Sequence, residues 1–110
     1  MENTPFEIKR IYYIYEFNES GITRGGHAHK ELEQVFLCLN GNFVMRVDDG
    51  VLKQELTMDN RNNGIYIGPS VWHDMVAIDQ GTVILALASN FYNESDYLRD
   101  YSQFLDHISI

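Results

Sequence analysis

Gly21-Ile22-Thr23-Arg24-Gly25-Gly26-His27-Ala28-His29-Lys30-Glu31-Leu32-Glu33-Gln34-Val35-Phe36-Leu37-Cys38-Leu39-Asn40-Gly41 is the stretch on which the reading of the fold turns. His27 and His29 stand two residues apart on an extended segment, so both imidazoles face the same way. Gln34 to Leu39 is a short apolar run closed by Asn40-Gly41, a hairpin signal because a type I′ turn needs two positive φ angles. Outward from this stretch the pattern repeats. Ile11 to Tyr15 is β-branched and aromatic and ends at the polar turn Asn18–Gly21. Phe43 to Val47 and Val51 to Met58 alternate around the turn Asp48-Asp49-Gly50, and Ile65 to Ile67 leads into Gly68-Pro69 after the polar loop Asp59–Gly64. Val83 to Leu87 closes the series. Many short strands separated by turns predict an all-β sandwich or small barrel, with strands over about 6–90. The tail differs: Leu98, Tyr101, Leu105 and Ile108 recur at helical spacing. That spacing predicts a C-terminal α-helix over about 95–107, capped by Asn93 or Ser95 and packed across the barrel or a partner subunit.

The chain has 110 residues, enough for one domain (1–110) with a single core, and no linker, repeat or low-complexity segment divides it. The longest apolar run, Thr82 to Ala88, is too short to cross a bilayer, so no membrane partner is expected. The N-terminus has no basic stretch followed by an apolar one, and the single cysteine, Cys38, sits inside an apolar strand as filler. Together these predict a cytoplasmic protein without disulfides. The formal charge of −8 argues against nucleic-acid binding but not against a small anionic ligand. With only eight basic residues, each one near a candidate site is informative: Arg24, Arg10, Arg46 and Lys30.

A histidine pair suits either proton transfer or metal binding. The spacing Gly21…His27-x-His29…Gln34…Gly41 resembles the first motif of the cupin superfamily. In metal-binding cupins the position of Gln34 is normally a glutamate, and a neutral amide is a poor ligand for a hard cation. Glu33, one residue earlier, fits a looser form of the motif. The second motif would supply a third histidine, but in Gly64-Ile65-Tyr66-Ile67-Gly68-Pro69-Ser70-Val71-Trp72-His73 the histidine falls one residue short of its place. A one-residue slip turns a strand side chain to the other face, so an incomplete metal triad is expected, with no metal and no cofactor.

Arg24-Gly25-x-His27 resembles the Arg-Gly-x-His of nucleotide-sugar epimerases with the same barrel. A closer match runs from about Pro5 to Phe104. Lys9-Arg10-Ile11-Tyr12-Tyr13-Ile14, Arg24 to Lys30, Gln34-Val35, Asp48-Asp49-Gly50, Tyr66-Ile67-x-Pro69-x-x-Trp72-His73-x-Met75, Leu87-Ala88-Ser89 and Tyr97-x-Arg99-x-Tyr101-x-x-Phe104 occur in order. Together these resemble the dTDP-4-keto-6-deoxyglucose 3,4-ketoisomerases, the WxcM-like sugar ketoisomerases. Members usually carry a further N-terminal segment of one or two strands, which this chain is expected to lack.

The resemblance implies a small jelly-roll (cupin) barrel, a dTDP-linked 4-keto-6-deoxyhexose as substrate, a homodimer, and a role in making 3-amino-3,6-dideoxy sugars. It implies His27 as the base that takes the C3 proton and His29 as a relay that shuttles protons between the two oxygens or delivers one to C4. Tyr13 and Tyr15, on one face of their strand, are the expected phenols, with Tyr13 as the catalytic donor to the enolate oxygen. Arg24 is expected to hold the diphosphate, and Arg10, Arg46, Gln34 and His73 to contact or orient substrate. Two other functions stay open on the sequence: a metal-dependent cupin of dioxygenase type, and a non-catalytic sugar-binding cupin. Chelation and a turnover assay separate them.

Overall fold

The computed structural model describes residues 5–109. Among these residues nine strands form two antiparallel sheets: β1 (Arg10–Ile14), β2 (Ile22–His29), β3 (Gln34–Asn40), β4 (Phe43–Asp48), β5 (Lys53–Met58), β6 (Ile65–Ile67), β7 (Trp72–Ile78), β8 (Val83–Ala88) and β9 (Tyr97–Leu98), followed by α1 (Tyr101–Ile108). One sheet has the order β1-β8-β3-β6 and the other β5-β4-β7-β2-β9. This is the expected all-β jelly roll with one C-terminal helix. Among the described residues no helix is long and apolar enough to cross a membrane.

The core lies between the sheets. Phe36, Phe43, Met45, Met75, Ile78 and Ile84 fill it, with Cys38 among them as an apolar packing residue. Towards one end the inward residues of β8 shrink to Ala86 and Ala88, which face Tyr12 and Arg10 across β1 and Phe36 and Gln34 across β3. Small residues in the middle strand leave room there for polar side chains from its neighbours, and that end holds the site.

Three local expectations differ from the structure. Asn40-Gly41 closes no hairpin, because β3 and β4 belong to different sheets. Only Gly41 of the two has a positive φ (+80°), and a Cβ there would come within 2.4 Å of Thr82 Oγ1. The glycine therefore lets the chain turn past Thr82 from one sheet to the other. Trp72–Ile78, outside the strand runs that the sequence marks, is β7, hydrogen-bonded to both β2 and β4. The helix predicted from about 95 begins at Tyr101. Asn93 instead caps a short 3₁₀ turn over Glu94–Asp96, Tyr97-Leu98 pair with β2, and Asp100 caps α1 through Ser102.

Helix α1 lies on the outer face of the five-stranded sheet. Phe104, fully buried, packs with Ala28, Leu98, Trp72 and Ile108. Phe104→Ala should cost about 3 kcal/mol, read as a lower midpoint in urea, because it empties the centre of this second cluster. An unchanged midpoint would mean that the helix is not docked.

Candidate active site

A glycine-made bulge assembles the site. In a regular strand Arg24 and His27, three residues apart, point to opposite faces. Gly25 and Gly26 both have positive φ (+95° and +94°), and the register of β2 against β7 shifts between Gly25 and His27. A Cβ on Gly25 would also press on Asp74 Cα at 3.2 Å. The extra residue re-aims the strand. Arg24 and His27 consequently line one cavity of about 500 Å³, together with Arg10, Tyr12, His73, Tyr97 and Arg99.

The same bulge sets His27 directly opposite His73. His73 is inward, 1% exposed, with its ring 4.7 Å from that of His27. The expectation that its position in the motif turns it away is therefore corrected: β7 alternates with His73 and Met75 inside, and Trp72 and Asp74 outside. His29 completes the cluster, 5.1 Å from His27 between ring centres. It is 2% exposed and lies behind the cavity wall rather than on it.

Each imidazole is held in its neutral form. His27 is pushed down to about 3 by burial, then by His73, His29, Arg99 and Arg24. His73 falls to about 4, again by burial, against an opposing pull from the Val71 carbonyl 3.2 Å from its Nδ1. Burial lowers His29 too, while Asp96 opposes it. Asp96 Oδ2 is 3.2 Å from His29 Nδ1, at ion-pair distance though out of hydrogen-bond alignment. The Asp96 carboxylate is itself fixed by the backbone N–H groups of Glu31 and Leu32.

Of the tyrosines on β1 and just after it, the one that lines this cavity is Tyr12. Tyr13 and Tyr15 lie more than half exposed, and Tyr13 faces outward opposite Leu85. The expected pair is thus corrected by one position, because β1 turns Arg10, Tyr12 and Ile14 towards the barrel interior. Gln34, 1% exposed, donates from Nε2 to Tyr12 Oη at 2.7 Å. Its amide is committed to the phenol, and its Oε1 has no protein partner. Burial raises the Tyr12 hydroxyl above its ordinary range, with Arg10, 4.9 Å from the ring centre, pulling the other way. Arg46 does not join the site. It points outward and forms a bidentate pair with Asp74, both contacts 2.7 Å, on the other face of the sheet.

Three residues to which the sequence alone gives no role do belong here. Tyr97 packs against both His29 (4.4 Å) and His27 (5.1 Å), Arg99 lies over the Tyr97 ring at 4.2 Å, and Asp96 supports His29. Glu94 grips Arg99 with two contacts of 2.8 and 2.9 Å and accepts the hydroxyl of Tyr92. Tyr97 and Arg99 sit in the motif quoted above, which offered a signal for them; Asp96 had none.

Cupin barrels often hold a metal, and nitrogens of His27, His29 and His73 do come within 4.8 Å of one another. The rest of the donor set does not fit one. The position that supplies a carboxylate in metal-binding cupins is Gln34, whose amide is turned to Tyr12. Arg10, Arg24 and Arg99 line the same space, so a dication would enter a field of like charge. The site is arranged for an anion and for protons.

Comparison with known proteins agrees with this arrangement. A family described as "FdtA: WxcM-like, C-terminal" matches residues 1–109. The TDP-4-oxo-6-deoxy-α-D-glucose-3,4-oxoisomerase of Aneurinibacillus thermoaerophilus is 46% identical over 108 residues, covering 98% of this chain and 77% of that protein. The QdtA 3,4-ketoisomerase of Thermoanaerobacterium thermosaccharolyticum, solved as a histidine-to-asparagine variant with TDP-4-keto-6-deoxyglucose, superposes with a TM-score of 0.89 at 41% identity, covering 94% of this chain and 75% of that one. The rmlC epimerase of Mycobacterium tuberculosis, at 16% identity, shares the fold with a TM-score of 0.71 over 84% of this chain and 50% of its own. The chain belongs to the FdtA, WxcM-like family.

Proposed function

We propose that this protein moves the ketone of a TDP-linked 4-keto-6-deoxyhexose from C4 to C3 by acid–base enolisation. The observation that carries the reading is the convergence of neutral His27, the phenol of Tyr12 and three arginines on one cavity, in a chain whose relatives are 3,4-ketoisomerases. The C3–H is acidic because it lies beside the C4 carbonyl. His27, on the cavity wall, takes that proton. The negative charge developing on the C4 oxygen needs a donor in place, and Tyr12, its oxygen fixed by the Gln34 amide, is the donor we assign. Reprotonation at C4 and loss of the O3 proton then leave the ketone at C3, with all electrons kept within the sugar, so no redox cofactor is required.

The arginines bind and tune at once. Arg24 and Arg99 are the cations at hand for the diphosphate. Both also lower the basicity of His27, after the larger effects of burial and the two other imidazoles, and a bound diphosphate would offset their share. Incubating TDP-4-keto-6-deoxyglucose with the protein in D₂O tests the reading by NMR. A 3-keto product with deuterium exchange at C3, unchanged by EDTA, supports it. Activity lost to EDTA and restored by Fe²⁺ or Mn²⁺ points to a metal-dependent cupin, and TDP binding without turnover to a sugar-binding protein. A 3-keto product suits later amination at C3, consistent with 3-amino-3,6-dideoxy sugar synthesis in the cytoplasm.

We further propose that the protein works as a homodimer through the outer face of the four-stranded sheet. Ile11 and Tyr13 stand there on an edge strand with more than half of their surface exposed, in register with Leu87 and Leu85. An apolar outward face beside an open strand edge is a contact surface. Sedimentation should give a dimer for the native chain and a monomer for Tyr13→Glu. A native monomer at micromolar concentration would sink this assignment.

A further inference from the structure

His29 raises a question that the reaction leaves open. It is buried, sits off the wall of the substrate cavity, and lies between His27 on one side and Asp96 on the other. Its Nε2 has no protein partner, whereas its Nδ1 faces the carboxylate. Asp96 in turn lines a second cavity of about 340 Å³, whose wall also includes Glu31, Glu33, Ser89, Asn90 and Asn93. Arg10, Tyr92 and Tyr97 border both cavities and stand between them. A sugar nucleotide filling the first cavity cuts His27 off from solvent on that side. The second cavity opens on the Asp96 side, and its lining shares only Arg10, Tyr92 and Tyr97 with the first.

Resting on the ketoisomerase reading, we propose that Asp96 and the rear cavity form a proton path, through which His29 and then His27 exchange protons with solvent while substrate occupies the front. The step balances without any other reactant. The His27 imidazolium gives its proton to His29 Nε2, His29 gives its Nδ1 proton to Asp96, and Asp96 returns it to water in the rear cavity. Run backwards, the same path loads a proton from solvent. Asp96 is a positioning and relay residue, since it does not line the cavity assigned to the substrate. Its carboxylate is pinned by two backbone N–H groups, which fixes its reach to His29.

The test uses the native chain first. Exchange of the His29 ring N–H with water, read by ¹⁵N-edited NMR, should continue when TDP saturates the front cavity. In Asp96→Asn, which keeps an oxygen for the Glu31 N–H, that exchange should slow about tenfold and kcat fall by a similar factor with KM held. Formate, small enough for the rear cavity, should restore part of kcat in Asp96→Ala but not in the native enzyme. Exchange that TDP alone stops, or that Asp96→Asn leaves at the native rate, overturns the path. So does a loss of kcat in folded Asp96→Ala that formate leaves untouched. A native protein that binds TDP but does not turn over the keto sugar counts against the ketoisomerase reading instead, and the exchange measurements then decide the path by themselves.

Discussion

His27→Asn should lower kcat by about 10³-fold while leaving TDP binding nearly unchanged. Asparagine matches the histidine in size and polarity but cannot take up a proton. The cavity therefore keeps its shape and Arg24 and Arg99 keep their hold on the diphosphate. What disappears is the group whose neutral form is secured by burial and by two neighbouring imidazoles. The decisive reading is deuterium exchange at C3 of the substrate in D₂O, which reports proton abstraction even if later steps stall. It should vanish together with turnover. Exchange persisting in the variant would assign abstraction to His73, the other imidazole on the cavity wall.

Acid should destabilise this protein above the pH at which its carboxylates titrate. His27 and His73 have folded pKa values of about 3 and about 4, both below the 6.5 of an unfolded histidine. The unfolded chain therefore binds protons first, and stability rises with pH across that interval. The contribution is complete above about pH 6.5 and is lost as pH falls towards 4. At one pKa unit per about 1.4 kcal/mol, the pair gives up roughly 4 kcal/mol between pH 8 and pH 5, a large part of a small domain's stability. Thermal midpoints measured across that range should fall steeply, and His73→Leu should remove about half of the slope. Midpoints that stay flat to pH 5 would show that neither histidine is held neutral by the fold.

The fold class was legible because it depends on the number of short strands and on turn residues, both plain in the chain. Site details that depend on parity were not. From Ile11 to Tyr15 both faces are apolar or aromatic, so nothing in that run says which tyrosine looks inward; pairing of Tyr12 with the inward Ala86 decides for it. The inward place of His73 is hidden from the sequence for a related reason. Motif spacing counts residues along β7, whereas its place opposite His27 is set by an extra residue in β2. Arg46 shows the same limit, since its outward direction follows from pairing with Asp74. The tail misled because helical spacing in Leu98, Tyr101 and Leu105 overlaps two residues that the edge of β2 recruits as strand. Arg24, Gln34 and the two histidines were found because the glycine-bounded motif marks them directly.

Trp72 is the only tryptophan in the chain, and it turns the docked helix into a built-in optical probe. Its ring meets Tyr101 edge-on at 5.2 Å and Phe104 at 5.8 Å, while the next residue along the strand, His73, stands in the site. Undocking of α1 would expose the indole and shift its emission to the red before the inter-sheet core opens. Fluorescence can thus follow the helix, and the strand that carries His73, without any label.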